Sequence, residues 1–315
     1  MYKRQAVTRR ALLAGFGSYV AGVLFALEIL LLGALLPERS TGLFMFAFGL
    51  ATQVNGIVSF QIAGALQPIF GHIGDDPRRQ LDGMTRACRL ICAILVPALA
   101  VQAAIGAPLI HVLWGGKWDD AAPIFVIMSI GQALYVCQWP AAFILKSQGR
   151  FRGYLRMQLV NITFAAVAFV AVILGGRWYG DFQGSVLAKH LHPDAAIPAA
   201  VAACSVLLVA VFGPATLYLA GRKCGMGVGL ALDIIWRPWI ACLPVALLAA
   251  WGASALVRSG MGSRALEAGS MAALGAVAVA TGIAGAVLTS PSIRADARSA
   301  AMIVVNRMRP RQEVP

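Results

Sequence analysis

Glu28 sits in the middle of "SYVAGVLFALEILLLGALL" (18–36), an apolar run that holds no other acid. A charge at the centre of a bilayer costs roughly 3 kcal/mol on insertion scales. A solitary acid there is therefore either a cation-coupling or substrate-path group, or a protonated acid hydrogen-bonded inside a helix bundle. Amides accompany it: Gln53, Asn55 and Gln61 (with Ser59) in the next apolar run, Gln132 and Gln138 in a later one, and Asn161 in another. At helical spacing Gln53, Ile57, Gln61, Gly64 and Pro68 share one stripe. Such side chains line a water-filled path or bond neighbouring helices. Arg89, Arg152 and Arg156 flank apolar runs. Their guanidinium forks match phosphate, and equally they suit topology and contact with anionic lipid.

The elements that must position these groups follow from composition. The chain is 59% hydrophobic and 12% charged, with mean hydropathy +0.77, whereas a soluble domain is about 25% charged. A spanning helix needs about 20 mostly apolar residues. Segments 11–36, 41–70, 87–108, 122–145, 154–175, 195–220, 238–257 and 266–289 qualify. Long unbroken runs indicate helices, because barrel strands alternate over about ten residues. The basic N-terminus "MYKRQAVTRR" precedes a run too long for a signal-peptide core and lacking a convincing cleavage site, so it reads as a retained first helix.

Net charge is +13. Of the 26 Lys and Arg residues, twenty fall before the first segment, after the eighth, or in every second loop between, and six (Arg39, Lys117, Arg177, Lys189, Arg258, Arg264) fall in the others. That alternation predicts eight spans with both termini cytoplasmic. It also accounts for the positive charge without nucleic acid. The six cysteines form no C-x-x-C or Cys/His cluster and read as small apolar filler.

The wettest turn is "VLWGGKWDDAAPIF" (112–125). Trp114 and Trp118 suit the headgroup level, Gly115 and Gly116 a turn, Asp119 and Asp120 the cap of the following helix, and Pro123 its first turn. Asp233 and Arg237 are spaced for an i, i+4 ion pair. Gly269, Gly275, Gly282 and Gly285 suit close packing of the last segment. "HLH" (190–192) is a weak metal candidate. No Walker loop, dinucleotide fingerprint or H-E-x-x-H is present, and no cofactor is expected.

The same turn resembles the outer turn "l-f-G-x-x-W-x-x-A-a-P-i" of polysaccharide flippases in the multidrug/oligosaccharidyl-lipid/polysaccharide exporter superfamily. "LEILLLGALLPERSTGLFMFAFGLA" (27–51), "PIFGHIGDDPRRQLDGMTRACRL" (68–90) and "ILKSQGRFRGYLR" (144–156) resemble further loops and helices of that family, in the same order. The likeness is good over 20–176 and thinner afterwards. Family members have two lobes followed by an accessory helix pair, and the matched patterns belong to the second lobe. The resemblance thus implies an all-α membrane protein with a flippase-like C-terminal lobe over 1–220, and two accessory helices with a basic tail over 221–315, the first lobe being absent from the chain. Glu28 replaces the family's usual aspartate, and the loop of residues 175–198 is longer than the family's hairpin.

The function so implied is ion-gradient-coupled movement of a polyprenyl-linked glycan across a bacterial inner membrane, in lipopolysaccharide or exopolysaccharide synthesis. Glu28, Gln53, Asn55, Gln61, Gln132 and Gln138 are then the ion-coupling or substrate-path candidates. Arg89, Arg152 and Arg156 are the candidates that meet the pyrophosphate. Expected partners are the lipid-linked glycan, membrane lipids, and a first-lobe chain or a second copy. The alternatives are a membrane glycosyl- or acyltransferase, for which Asp181, Lys189, His190 and His192 are the nearest cluster, and a non-transporting scaffold or fragment.

Overall fold

The computed structural model describes residues 15, 19, 22–23, 26–72, 76–136, 138–178, 192–259, 263–296 and 298, and of 59–72, 138–139, 147 and 177–178 the backbone only. All regular structure among them is helical: α1 (Ala26–Leu35), α2 (Glu38–His72), α3 (Pro77–Trp114), α4 (Ala122–Tyr135), α5 (Gln138–Ser147), α6 (Phe151–Trp178), α7 (Pro193–Gly221), α8 (Val228–Ser259) and α9 (Arg264–Thr289). Six of these helices are long and apolar enough to cross a membrane, and α4 with α5 makes a seventh candidate as a broken span. The chain is a multi-pass membrane protein. Most of the upstream half of the first expected segment lies outside the described residues.

Two expected boundaries move. α3 starts ten residues before its apolar run, because the Asp76 carboxylate accepts hydrogen bonds from the Arg78 and Arg79 backbone N–H groups and Pro77 occupies the first turn. The basic stretch read as a loop is thus the first turns of a 38-residue helix, about 57 Å long at 1.5 Å per residue, which carries its charges beyond the apolar core. The segment 122–145 is not one straight helix either. It breaks between α4 and α5 with a 41° bend. Pro140 has no N–H for the Val136 carbonyl, and its ring crowds that carbonyl.

Antiparallel neighbours bring the helix ends together in two groups. At one end Arg39 reaches Asp120 at 3.2 Å and Asp194 at 3.3 Å, which ties α2 to the turn before α4 and to the start of α7. At the other end Gln148 Nε2 donates to Gln80 Oε1 at 2.9 Å, and Arg150 donates to the Leu219 carbonyl at 3.4 Å. One packed cluster near the Arg39 end is built on Leu32, Phe44, Ile124, Phe125, Phe169 and Val201. A second, toward the Arg150 end, is built on Met84, Leu95, Leu99, Ile144, Leu217 and Ile234. α8 and α9 pack against α3. As the glycine spacing suggested, Gly275 and Gly282 seat on Ile105 and Pro97, where a Cβ would come within 2.9 Å of each, while Gly269 and Gly285 make no comparably close approach. Asp233 and Arg237 pair as expected at 2.9 Å.

Candidate functional site

α1 is described over Ala26–Leu35, and Glu28 lies on its bundle side. Ser205 of α7 holds its Oγ 2.6 Å from Glu28 Oε1 and 3.0 Å from the Val201 carbonyl. Ser205 is twelve residues into α7, about 18 Å from its start, so the pair sits at mid-depth in the bundle. Glu28 Oε2 is buried and has no hydrogen-bond partner among the described residues. Both residues open on a cavity of roughly 60 Å³, whose other walls include Phe48 of α2 and Gln132 and Tyr135 of α4. A space of this size can hold water.

The arrangement supports two proton states. Ser205 has one hydroxyl hydrogen and two acceptors in reach. When Glu28 is ionised, Ser205 donates to it. When Glu28 carries a proton on Oε1, Glu28 donates to Ser205 Oγ, and the serine hydrogen turns to the Val201 carbonyl. The exchange needs no movement of the backbone, and in either state Oε2 is without a partner among the described residues.

Amides extend this polar centre. Asn55 Nδ2 donates to Gln132 Oε1 at 2.7 Å in a buried contact between α2 and α4. Gln102 of α3 donates to Ser129 Oγ at 3.0 Å and to the Ala51 carbonyl at 3.2 Å. The structure therefore brings Glu28, Gln132 and Asn55 together and adds Ser205, Ser129, Gln102 and Tyr135, which the sequence did not single out. Ser205 carried a signal: it is a hydroxyl in the long apolar run 195–215. Gln53 points away from the cavity and is exposed. The side chains of Gln61 and Gln138 lie outside the described residues.

The three arginines do not form one cluster. Arg89 lies 3.9 Å from Asp296, which Arg86 grips at 2.9 Å; Asp296 lies in the helical stretch 291–296, whose Ile293 clusters with Ala93 of α3. Arg152 and Arg156 are exposed at the start of α6. Asp181, Lys189 and His190 lie outside the described residues. His192 caps α7, accepting from the Asp194 N–H at 3.4 Å, and no group of three metal-ligating side chains occurs among the described residues.

The tryptophan turn differs from expectation in one respect. Gly115 ends α3 with φ 60° and Gly116 follows with φ 85°, values that favour glycine. Asp119 and Asp120 do not cap α4. They form a 3-10 turn, Asp119–Ala121, ahead of it, so Ala121 takes the cap position with no side-chain bond. Asp119 Oδ2 instead lies 2.8 Å from His111 Nδ1, and Asp120 holds Arg39. Phe46 stacks on Trp118 at 4.2 Å and meets Trp114 edge-on at 5.1 Å.

Residues 12–123, which carry α1 to α3 and this turn, match the model of a family described as polysaccharide biosynthesis protein. No curated protein and no solved structure matches the chain.

Proposed function

We propose that this chain moves a polyprenyl-linked glycan precursor across a bacterial plasma membrane, driven by an ion gradient that acts on Glu28. The observation that carries this reading is Glu28 itself, which lines a mid-bundle cavity beside Ser205 and whose Oε2 has no hydrogen-bond partner among the described residues. Most buried polar atoms are hydrogen-bonded, and a buried one without a partner calls for an explanation such as a functional role. Likeness of residues 12–123 to a polysaccharide biosynthesis family supports the substrate class.

Taking up and releasing a cation or proton at Glu28 changes the charge buried between α1, α4 and α7, and with it the preferred packing of those helices. Alternating access then rocks this bundle against a second body around the substrate path. A separate chain or a second copy supplies that body. At the Arg150 end, the exposed Arg152 and Arg156 meet the pyrophosphate first, and Arg89 joins them when Asp296 releases it.

The test is translocation of a defined lipid-linked oligosaccharide in proteoliposomes with and without an imposed proton or sodium gradient. Gradient-stimulated transport by the wild type that is lost in Glu28→Gln is the expected result. Transport that ignores the gradient, or glycosyl transfer without transport, would replace this reading with facilitated movement or with a transferase.

A further inference from the structure

A second cavity, remote from Glu28, opens at the Arg39 end between α3, α4 and α8. Its volume is about 780 Å³, within the range of small-molecule sites. Pro108, Pro123, Val126, Ile127 and Val257 give it apolar walls, and His111, Asp119 and Arg258 stand at its rim. The depth follows from the helices. Arg258 is one residue from the end of α8 and His111 three from the end of α3, while Ala107 lies four residues further down α3 than His111, about 6 Å deeper. Trp114 and Trp118 flank the same turn, so the rim lies at the level where lipid headgroups meet the hydrocarbon.

The rim charges are of both signs and are only partly used. Arg258 Nε donates to the Ser254 carbonyl at 3.2 Å, and its two terminal nitrogens bind no described residue. Asp119 Oδ2 takes the His111 contact, and Oδ1 stays open among the described residues. One guanidinium face and one carboxylate oxygen above an apolar slot complement a headgroup with a phosphate and a primary ammonium.

We propose that this groove binds a membrane phospholipid with a phosphoethanolamine headgroup, its phosphate on Arg258, its ammonium on Asp119 and one acyl chain between α4 and α8. The guanidinium fork suits a phosphate diester. A quaternary ammonium cannot donate a hydrogen bond to Asp119, and a headgroup without an amine sets its negative charge against that carboxylate. The groove therefore distinguishes ethanolamine lipids from choline and glycerol lipids of the same chain length.

The full chain, delipidated in detergent, is offered equal amounts of phosphatidylethanolamine, phosphatidylcholine and phosphatidylglycerol, and retained lipid is read by native mass spectrometry. The ethanolamine lipid should be retained roughly tenfold over each of the others, the worth of one charge-assisted contact. Arg258→Ala should lower retention of all three lipids. Asp119→Asn should remove the preference while leaving phosphate-dependent binding, and Val126→Trp should fill the slot and release the lipid. Equal retention of the three lipids by the wild type would overturn the proposal without recourse to any variant. So would unchanged retention in Arg258→Ala protein, or an unchanged preference in Asp119→Asn protein, that elutes as the wild type does.

Discussion

Gly106 of α3 lies directly against the ring of Phe125 in α4, so close that a Cβ on residue 106 would fall on the ring's edge atoms. The ring is itself buried and belongs to the packed cluster that includes Phe44, Ile124 and Phe169. Gly106→Ala should therefore lower stability by about 1–3 kcal/mol, outweighing the gain of about 1 kcal/mol in helix propensity. Gly42→Ala on α2, where a Cβ meets nothing within 4 Å, should be neutral or stabilising. Thermal unfolding of the two variants in the same nanodiscs makes the comparison, and similar melting temperatures would show that α3 and α4 can part at little cost.

At the polar centre the two partners should behave differently. Glu28→Gln is expected to insert and fold but to lose gradient-driven transport, because it cannot change charge. Ser205→Ala should slow transport without abolishing it, since it removes the hydroxyl that serves both states of Glu28, and Ser205→Thr should restore much of it. Wild-type gradient dependence in Glu28→Gln would leave the pair a structural one.

The Asn55–Gln132 contact joins α2 to α4. Buried hydrogen bonds between membrane helices are worth about 0.6 kcal/mol on average and up to about 1.7 kcal/mol. A double-mutant cycle with Asn55→Leu and Gln132→Leu should give a coupling energy in that range, the double variant being less damaged than the sum of the singles. Additive losses would mean that the two amides act independently.

Helix identity was legible in the sequence because apolar runs of spanning length leave few alternatives, whereas helix rotation was not. In lipid both faces of a helix are apolar, so spacing alone could not tell that Asn55 turns inward while Gln53, two residues away, faces out. Nor could it pair Ser205 with Glu28, because α7 is apolar around most of its circumference. Proline was ambiguous for a related reason. α3 runs through Pro97 and Pro108, and α7 through Pro198 and Pro214, yet the chain breaks just before Pro140. Asp119 and Asp120 had the right composition for a cap, but the intervening 3-10 turn and the pull of His111 and Arg39 set them elsewhere. The N-terminal extension of α3 was readable in Asp76–Pro77, a cap followed by a first-turn proline, although the charges after it suggested a loop.

The Arg39 bridge to Asp120 and Asp194 is partly exposed and should contribute little. Arg39→Gln is expected to cost less than about 1 kcal/mol, and the difference from wild type should shrink as salt is raised. A larger, salt-insensitive loss would indicate that Arg39 has a buried partner in the assembled protein.

Topology is testable directly. The distribution of basic residues predicts that the Arg150 turn is cytoplasmic and the Lys117 turn external. Alkaline phosphatase fused after Arg150 should be inactive, and after Lys117 active. The reverse pattern would invert the membrane orientation and place Arg152 and Arg156 on the wrong side for an incoming substrate.

The break before Pro140 separates two stiff arms, about 21 Å and 15 Å long from the fourteen residues of α4 and the ten of α5. The upper arm carries Gln132 and Tyr135 into the Glu28 cavity. The lower arm leads straight to Gln148 and Arg150, which fasten it to α3 and α7. With one backbone hydrogen bond missing at the joint, bending there costs less than bending either arm. A tilt of the lower arm can thus shift the Arg150 turn while the cavity wall keeps its shape, so that this turn and the Glu28 cavity need not move as one piece.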